Sequence, residues 1–102
     1  MIGAIRAKFA SLLYEYSLHA VDQNILRHIT RREIEEAIAS GEVIEDYPTD
    51  KYGPSCLVLG FNSQGRPLHV QCTRPAETRI KIITAYEPDP SEWLDYRLRR
   101  TT

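Results

Sequence analysis

The chain has 102 residues, of which 42% are hydrophobic and 26% charged, values that are ordinary for one folded domain. We therefore expect a single domain over residues 1–102. The formal net charge of −1 lacks the basic excess that is typical of nucleic-acid-binding proteins.

The apolar stretches are short. None approaches the roughly 20 residues that a membrane-spanning helix needs, so we expect no membrane association. Arg6 and Lys8 interrupt the apolar residues near the N-terminus, and a secretory signal needs a continuous apolar stretch. These features predict a cytoplasmic protein.

Helical spacing of apolar residues dominates the first 40 positions. Residues 2–13 predict a short amphipathic helix, and residues 14–16 a short extended link or strand. Ser17 is expected to cap a second helix. The core-facing stripe of that helix should consist of Leu18, Val21, Ile25 and Ile29.

A capping box begins the third helix. Thr30 is its N-cap and Glu33 returns to the backbone, and Gly41 ends the helix. On the second helix, a polar row repeats every four residues. This row is either a solvated face or one side of a cleft, and its members are His19, Gln23 and Arg27.

The periodicity changes to two after residue 42, which predicts β-strands. We expect strands over residues 43–47, 54–61, 66–72 and 80–86, with turns at 48–54 and 74–79. Residues 62–65 would connect the second and third strands as a hairpin. Ser91 is expected to cap a last helix that contains Trp93 and Leu98. The sequence thus predicts an α+β fold, with N-terminal helices packed on a four-stranded antiparallel sheet and a C-terminal helix.

His69 is a titratable residue within a predicted strand. With a four-residue hairpin loop and even loops throughout, it would pair opposite Thr84 and share a sheet face with Tyr86. A histidine beside a tyrosine can perform acid–base chemistry, because the pKa of histidine lies near neutrality. The alternative is a histidine bonded to its neighbours and buried under the last helix.

The same loop length would place Cys56 and Cys72 on opposite faces, so we expect buried free thiols rather than a disulfide. Their spacing matches no zinc motif. The chain has no glycine-rich phosphate loop, G-x-S-x-G, H-E-x-x-H or C-x-x-C motif. We therefore predict neither a metal site nor a cofactor.

Several blocks together resemble the family called domain of unknown function 4258. The resemblance covers about residues 14–98, and it is specific because the blocks occur in the right order. They are SLHA (17–20), RHIT (27–30), IEEAI (34–38), GEVIEDYP (41–48), YGPSCLVLG (52–60), RPLHV (66–70) and TAYEPDP (84–90). The family looks similar to the RelE and BrnT group of small toxins, which are ribonucleases neutralised by an antitoxin protein.

This resemblance implies a RelE-like fold and a ribonuclease toxin of a toxin–antitoxin pair. By this mapping, His69 is the general base or acid, Tyr86 orients or donates a proton, and the substrate-binding residues are His19, Arg27 and Arg66. The implied partners are an antitoxin protein and RNA or the ribosome. Gln23 stands where the family usually has an arginine, which weakens phosphate binding by that helix.

Two alternatives remain open from the sequence. The first is a non-catalytic protein-binding module of the same fold, which acts through a partner or as a homodimer. The second is a small-ligand binder that uses a pocket at His69. An open arginine-rich sheet face would favour the toxin, whereas an exposed apolar patch or a free sheet edge would favour the binding module.

Overall fold

The computed structural model describes residues 1–51, 53–75 and 78–101. Tyr52, and Ala76 and Glu77 of the predicted turn at 74–79, lie outside the described residues. In the described part, three helices cover one face of a five-stranded sheet, and a small two-stranded sheet lies at the C-terminal end. The helices are α1 (Ile2–Ala10), α2 (Leu18–Leu26) and α3 (Arg31–Ser40). The strands are β1 (Tyr14–Tyr16), β2 (Glu42–Tyr47), β3 (Ser55–Phe61), β4 (Pro67–Thr73), β5 (Ile80–Tyr86), β6 (Trp93–Leu94) and β7 (Leu98–Arg99).

The predicted four-stranded antiparallel sheet is wrong, because β1 adds a fifth strand. The strand order is β1-β5-β4-β3-β2, and β1 runs parallel to β5 whereas the other neighbours are antiparallel. The Ser17 amide donates to the Ile82 carbonyl, and the Ile80 amide to the Leu13 carbonyl, each at 3.0 Å. Three residues are too few for their alternation to reveal this pairing in the sequence.

The predicted C-terminal helix is also wrong. The chain reverses at Asp95 and Tyr96, whose φ angles are 52° and 63°, and β6 pairs antiparallel with β7. The Arg97 amide donates to the Leu94 carbonyl across this turn at 3.0 Å. Positive φ at both central residues is what a type I′ hairpin turn requires. Two successive left-handed residues cannot continue a right-handed helix, so the hairpin replaces it.

The helix-facing side of the sheet contains the main core. Ile34, Ala37 and Ile38 of α3 pack there with Val58 and other buried side chains of β3–β5. The contact is closest at Gly60, where an added Cβ would lie 1.8 Å from the Ala37 carbonyl oxygen. The absence of a side chain at Gly60 therefore lets α3 lie directly on the backbone of β3.

The caps predicted for α2 and α3 are confirmed. The Ser17 hydroxyl accepts from the Ala20 amide at 3.0 Å, and Thr30 and Glu33 form the reciprocal capping box. The predicted core-facing stripe of α2 is wrong for three of its four members. Leu18 is 85%, Val21 42% and Ile25 70% exposed, and only Ile29 is buried.

The reason for this orientation lies at the edge of β5. Because β1 pairs only with Ile80–Ile82, the edge carbonyls of Ile83 and Ala85 need other donors. The Ser17 hydroxyl donates to Ile83 at 3.1 Å, and Arg27 donates to Ala85 at 2.8 Å. These bonds turn the polar side of α2 toward the sheet and its apolar side outward.

The β3–β4 hairpin has a different register from the predicted one. Five residues, 62–66, lie between the paired Phe61 and Pro67, whereas the prediction used four. Asn62 explains the longer turn, since its side-chain oxygen accepts from the amides of Gln64 and Arg66. Consequently Cys56 lies directly opposite Cys72 on the helix-facing side, with the sulfur atoms 4.0 Å apart as free thiols.

Candidate functional site

His69 lies on the face of the sheet opposite the helices, in the middle of β4. It pairs with Tyr86 and not with Thr84, which lies opposite Gln71. A carbonyl oxygen can only accept, so the Nε2–H of His69 donates to the Tyr96 carbonyl at 2.7 Å. Nδ1 is then unprotonated and accepts from the Tyr86 hydroxyl at 3.2 Å. Both ring nitrogens therefore have a partner.

The segment of residues 88–101, called the C-terminal segment here, covers His69 completely. Trp93 contacts the imidazole edge-on, with ring centroids 4.5 Å apart. Arg99 lies over the Trp93 ring at 4.6 Å, and its Nε donates to both carboxylate oxygens of Glu45 at 3.0 and 3.1 Å. His69 is 0% exposed as a result.

Burial sets the protonation of this pair. It lowers the pKa of His69, because desolvation disfavours the imidazolium, and the hydrogen bond to the Tyr96 carbonyl opposes this only in part. Burial likewise raises the pKa of Tyr86. A neutral imidazole that accepts from a neutral phenol has the geometry of a proton-transfer pair. In this arrangement, however, His69 is fully buried, so no substrate atom can reach the imidazole.

Arg66 links the corner between α2 and α3 to the end of β5. Its guanidinium donates to Glu87 at 2.8 Å and to Glu33 at 2.9 Å, and also to the main-chain carbonyls of Arg27 and His28. The bond to Glu87 is the main cause that raises its pKa. The guanidinium of Arg66 thus already holds the α2–α3 corner against the end of β5.

Arg27 and His19 differ although both belong to α2. The Arg27 guanidinium donates to the Ala85 carbonyl and, at 3.3 Å, to the Thr84 hydroxyl. His19 is exposed and forms no hydrogen bond or ion pair with the described residues. The structure therefore gathers His69, Tyr86, Arg27 and Arg66 around the end of β5, and it leaves His19 apart from them.

Neither a metal centre nor a membrane span emerges from the described residues. No group of three or more histidine, cysteine or acidic side chains among them could hold a metal ion. No helix in the described ranges combines the length and apolar character required to cross a membrane.

An exposed apolar surface on α2 is the feature that the sequence prediction missed. We call it the α2 surface and define it by Leu18, Val21, Ile25 and Leu26, the last of which is 71% exposed. Exposed single apolar residues are common, but a contiguous set on one helix face usually marks an interaction site. The periodic pattern was visible in the sequence. The pattern did not indicate that Arg27 would face the sheet and that Ile25 would face outward.

A cavity of about 200 Å³ lies beside the α2 surface. Tyr16, Val21, Asn24, Ile25, Ile29 and Arg31 line it. The Tyr16 hydroxyl and the Asn24 side-chain oxygen are buried and have no hydrogen-bond partner in the described part of the chain. Desolvation raises the pKa of Tyr16 to about 12, so its phenol is protonated at neutral pH.

A family model matches most of the chain. The model of a family described as "Domain of unknown function (DUF4258)" matches residues 16–87. No curated protein matches the chain, and no solved structure matches it.

Proposed function

The chain belongs to the DUF4258 family, and we propose that it is a protein-binding module that uses the α2 surface as its contact. One observation carries this proposal: the apolar side of an amphipathic helix faces outward, with Leu18 85% and Ile25 70% exposed. Burying such a side chain completely is worth about 1.5–3 kcal/mol. A partner that covers the surface would recover this free energy.

The arrangement around His69 supports binding over catalysis. His69 is fully covered, and both of its nitrogens are bonded within the fold. Arg27 and Arg66, the candidate phosphate contacts, already donate to carbonyl and carboxylate oxygens. Tyr86, Trp93 and Tyr96 fill the space around the imidazole, so a small ligand at His69 would have to displace them.

The test compares two substitutions of equally exposed aliphatic residues. Ile25→Ser removes the centre of the α2 surface, whereas Leu12→Ser changes a residue outside α2 that is 67% exposed. Tagged wild type and both variants are used to isolate partners from the source cells, and each candidate partner is then purified and titrated. We expect the Leu12→Ser variant to bind like the wild type and the Ile25→Ser variant to bind about tenfold more weakly, consistent with lost apolar burial. Equal affinities of all three proteins would refute the proposal.

A second candidate, a ribonuclease toxin, is favoured by the distance of 3.2 Å between His69 Nδ1 and the Tyr86 hydroxyl. In this mechanism, His69 is the base or acid, Tyr86 donates a proton, and His19, Arg27 and Arg66 contact the RNA. The C-terminal segment would first have to leave His69. Expression of the wild type should then arrest growth and degrade RNA, and the His69→Ala variant should do neither. Intact RNA and normal growth with the wild type would exclude this candidate.

A further inference from the structure

Resting on the proposed function, we infer that the α2 surface binds an amphipathic helix of a different protein, one that places a lysine or arginine against Asp22. The argument begins with the position of Asp22 on α2. Leu18, Asp22 and Leu26 are spaced four residues apart, so they form one row along the helix axis. Any partner that covers Leu18 and Leu26 therefore also covers the carboxylate between them.

The Asp22 carboxylate is unpaired in the part of the chain that the structure describes. It is exposed, and it forms no ion pair with the described residues. Nearby, His19 is exposed on the same helix, and Arg31 at the cavity already bonds to the Tyr14 hydroxyl at 3.0 Å and pairs with Glu35 at 3.4 Å. Covering an unpaired carboxylate with apolar groups is costly, whereas a cation from the partner would stabilise it.

This charge argues against two other occupants. A two-fold contact between α2 and its copy that is centred on the helix would bring Asp22 against its own equivalent, which places like charges together. The phosphate backbone of a nucleic acid would be repelled by the same carboxylate. A cationic side chain on a different protein meets neither objection.

The shape of the surface favours a helix. The nine residues of α2 form a ridge about 13.5 Å long, at 1.5 Å per residue. Two rows of side chains lie along it, Leu18–Asp22–Leu26 and Val21–Ile25, with a groove between them into which the side-chain ridge of a second helix packs. The adjacent cavity beside Val21 and Ile25 offers room for a large apolar side chain of that helix.

The experiment titrates the full chain with two synthetic helical peptides of 18 residues. Both peptides carry the same leucine face, and they differ only in the residues beside it, which are lysines in one and glutamates in the other. We expect the wild type to bind the lysine peptide about tenfold more tightly, as one close ion pair predicts. Asp22→Lys should reverse the preference and Asp22→Asn should abolish it. Ile25→Ser should weaken both peptides about tenfold, and Leu12→Ser should change neither.

Other results would overturn the inference. If the wild type binds both peptides equally and Ile25→Ser weakens both, the α2 surface binds protein, but the charge requirement is wrong. If neither peptide binds at near-millimolar concentration, the inference fails, and the purified partner of the preceding section decides whether the α2 surface binds protein at all. Sedimentation equilibrium separates the remaining case: a wild-type dimer that the Ile25→Ser variant does not form would make a second copy the occupant.

Discussion

His69 joins two parts of the fold through its side chain. It receives a hydrogen bond from Tyr86 on β5 and gives one to the Tyr96 carbonyl in the C-terminal segment. A histidine suits this position because the neutral ring is at once a donor and an acceptor. An apolar residue of similar size would remove both hydrogen bonds. The sequence alone therefore could not distinguish a catalytic histidine from one that fixes the C-terminal segment.

We predict that His69→Ala destabilises the protein by about 1–3 kcal/mol, the usual range when a hydrogen-bonding group in the protein interior loses its partner. Trp93 is the sole tryptophan and contacts the imidazole, so its fluorescence should shift to the red as the C-terminal segment loosens. Urea titration and emission spectra measure both effects. The exposed His19→Ala serves as control, with a change within about 0.5 kcal/mol. A His69→Ala variant as stable as the wild type would show that the hydrogen bonds to Tyr86 and Tyr96 contribute little.

The pKa of His69 predicts how stability depends on pH. Burial lowers this pKa in the folded protein from its usual value of 6.5. Between pH 6.5 and the lowered value, the unfolded chain binds a proton that the folded chain does not, so acid favours unfolding there. The contribution of His69 to stability is thus complete above pH 6.5. It falls as the pH drops from 6.5 to the lowered pKa of the folded protein, and below that pKa it stays constant.

The measurement is the free energy of unfolding at pH 7.5, 6.5 and 5.5 for the wild type and His69→Gln. Other groups near the ring, among them Tyr86, Glu45 and Arg99, remain in the variant, so the difference between the two curves isolates the imidazole. We expect the wild type to lose more stability than the variant below pH 6.5. Parallel curves of unfolding free energy against pH would mean that His69 has the same pKa in the folded and unfolded protein.

At the level of elements, the contact between α3 and β3 depends on two small residues. An added Cβ at Gly60 would lie 1.8 Å from the Ala37 carbonyl oxygen and 2.7 Å from its Cα. Both are main-chain atoms of α3, so no side-chain rotation can relieve the overlap. The two elements would have to separate.

We therefore predict that Gly60→Ala destabilises the protein by more than about 4 kcal/mol, the range of severe core overpacking, or prevents folding. Gly3→Ala is the matched control, because a Cβ there meets no atom within 4 Å and lies within α1. Alanine at Gly3 should be neutral or stabilise by up to about 1 kcal/mol. Thermal unfolding followed by circular dichroism compares them. A Gly60→Ala protein with the same melting temperature as the wild type would contradict the close contact between α3 and β3.

Elements with local signals were predictable from the sequence, and elements decided by distant contacts were not. The capping box at Thr30 and Glu33 and the strand at 80–86 follow from neighbouring residues, and both are confirmed. The orientation of α2 depends instead on edge carbonyls of β5 that lie about 60 positions away along the chain. The hairpin register was missed because Asn62 lengthens the turn by one residue, which moves every side chain of β4 relative to β3.

Over the whole molecule, the two faces of the sheet are covered unequally. Three helices protect the side that contains the main core, whereas the C-terminal segment covers His69 with a hairpin of two-residue strands. This cover explains why only part of the site was predictable. The sharing of one face by His69 and Tyr86 followed from strand alternation. The hairpin that covers His69 depends on the left-handed turn at Asp95 and Tyr96, where the sequence predicted a helix.

We predict that the C-terminal segment opens before the rest of the protein unfolds, because short strands with few buried side chains have low local stability. The amides of Trp93, Arg97 and Arg100 donate within this segment and should exchange with deuterium faster than those of β3–β5. Hydrogen exchange followed by NMR measures this difference. In the His69→Ala variant, the difference in exchange rate between the C-terminal segment and β3–β5 should be larger. Equal protection of both regions would indicate that the segment unfolds only together with the whole sheet.

The paired thiols of Cys56 and Cys72 have a practical consequence for such measurements. They are the two cysteines of the sequence, and both are wholly buried beneath the helices. Thiol reagents should therefore leave the native protein unmodified. A cysteine introduced at Leu26 or Leu98, which are 71% and 63% exposed, would then be the one reactive position. The wild-type chain is thus a ready background for spin labels or dyes that report partner binding at α2 and opening at the C-terminus separately.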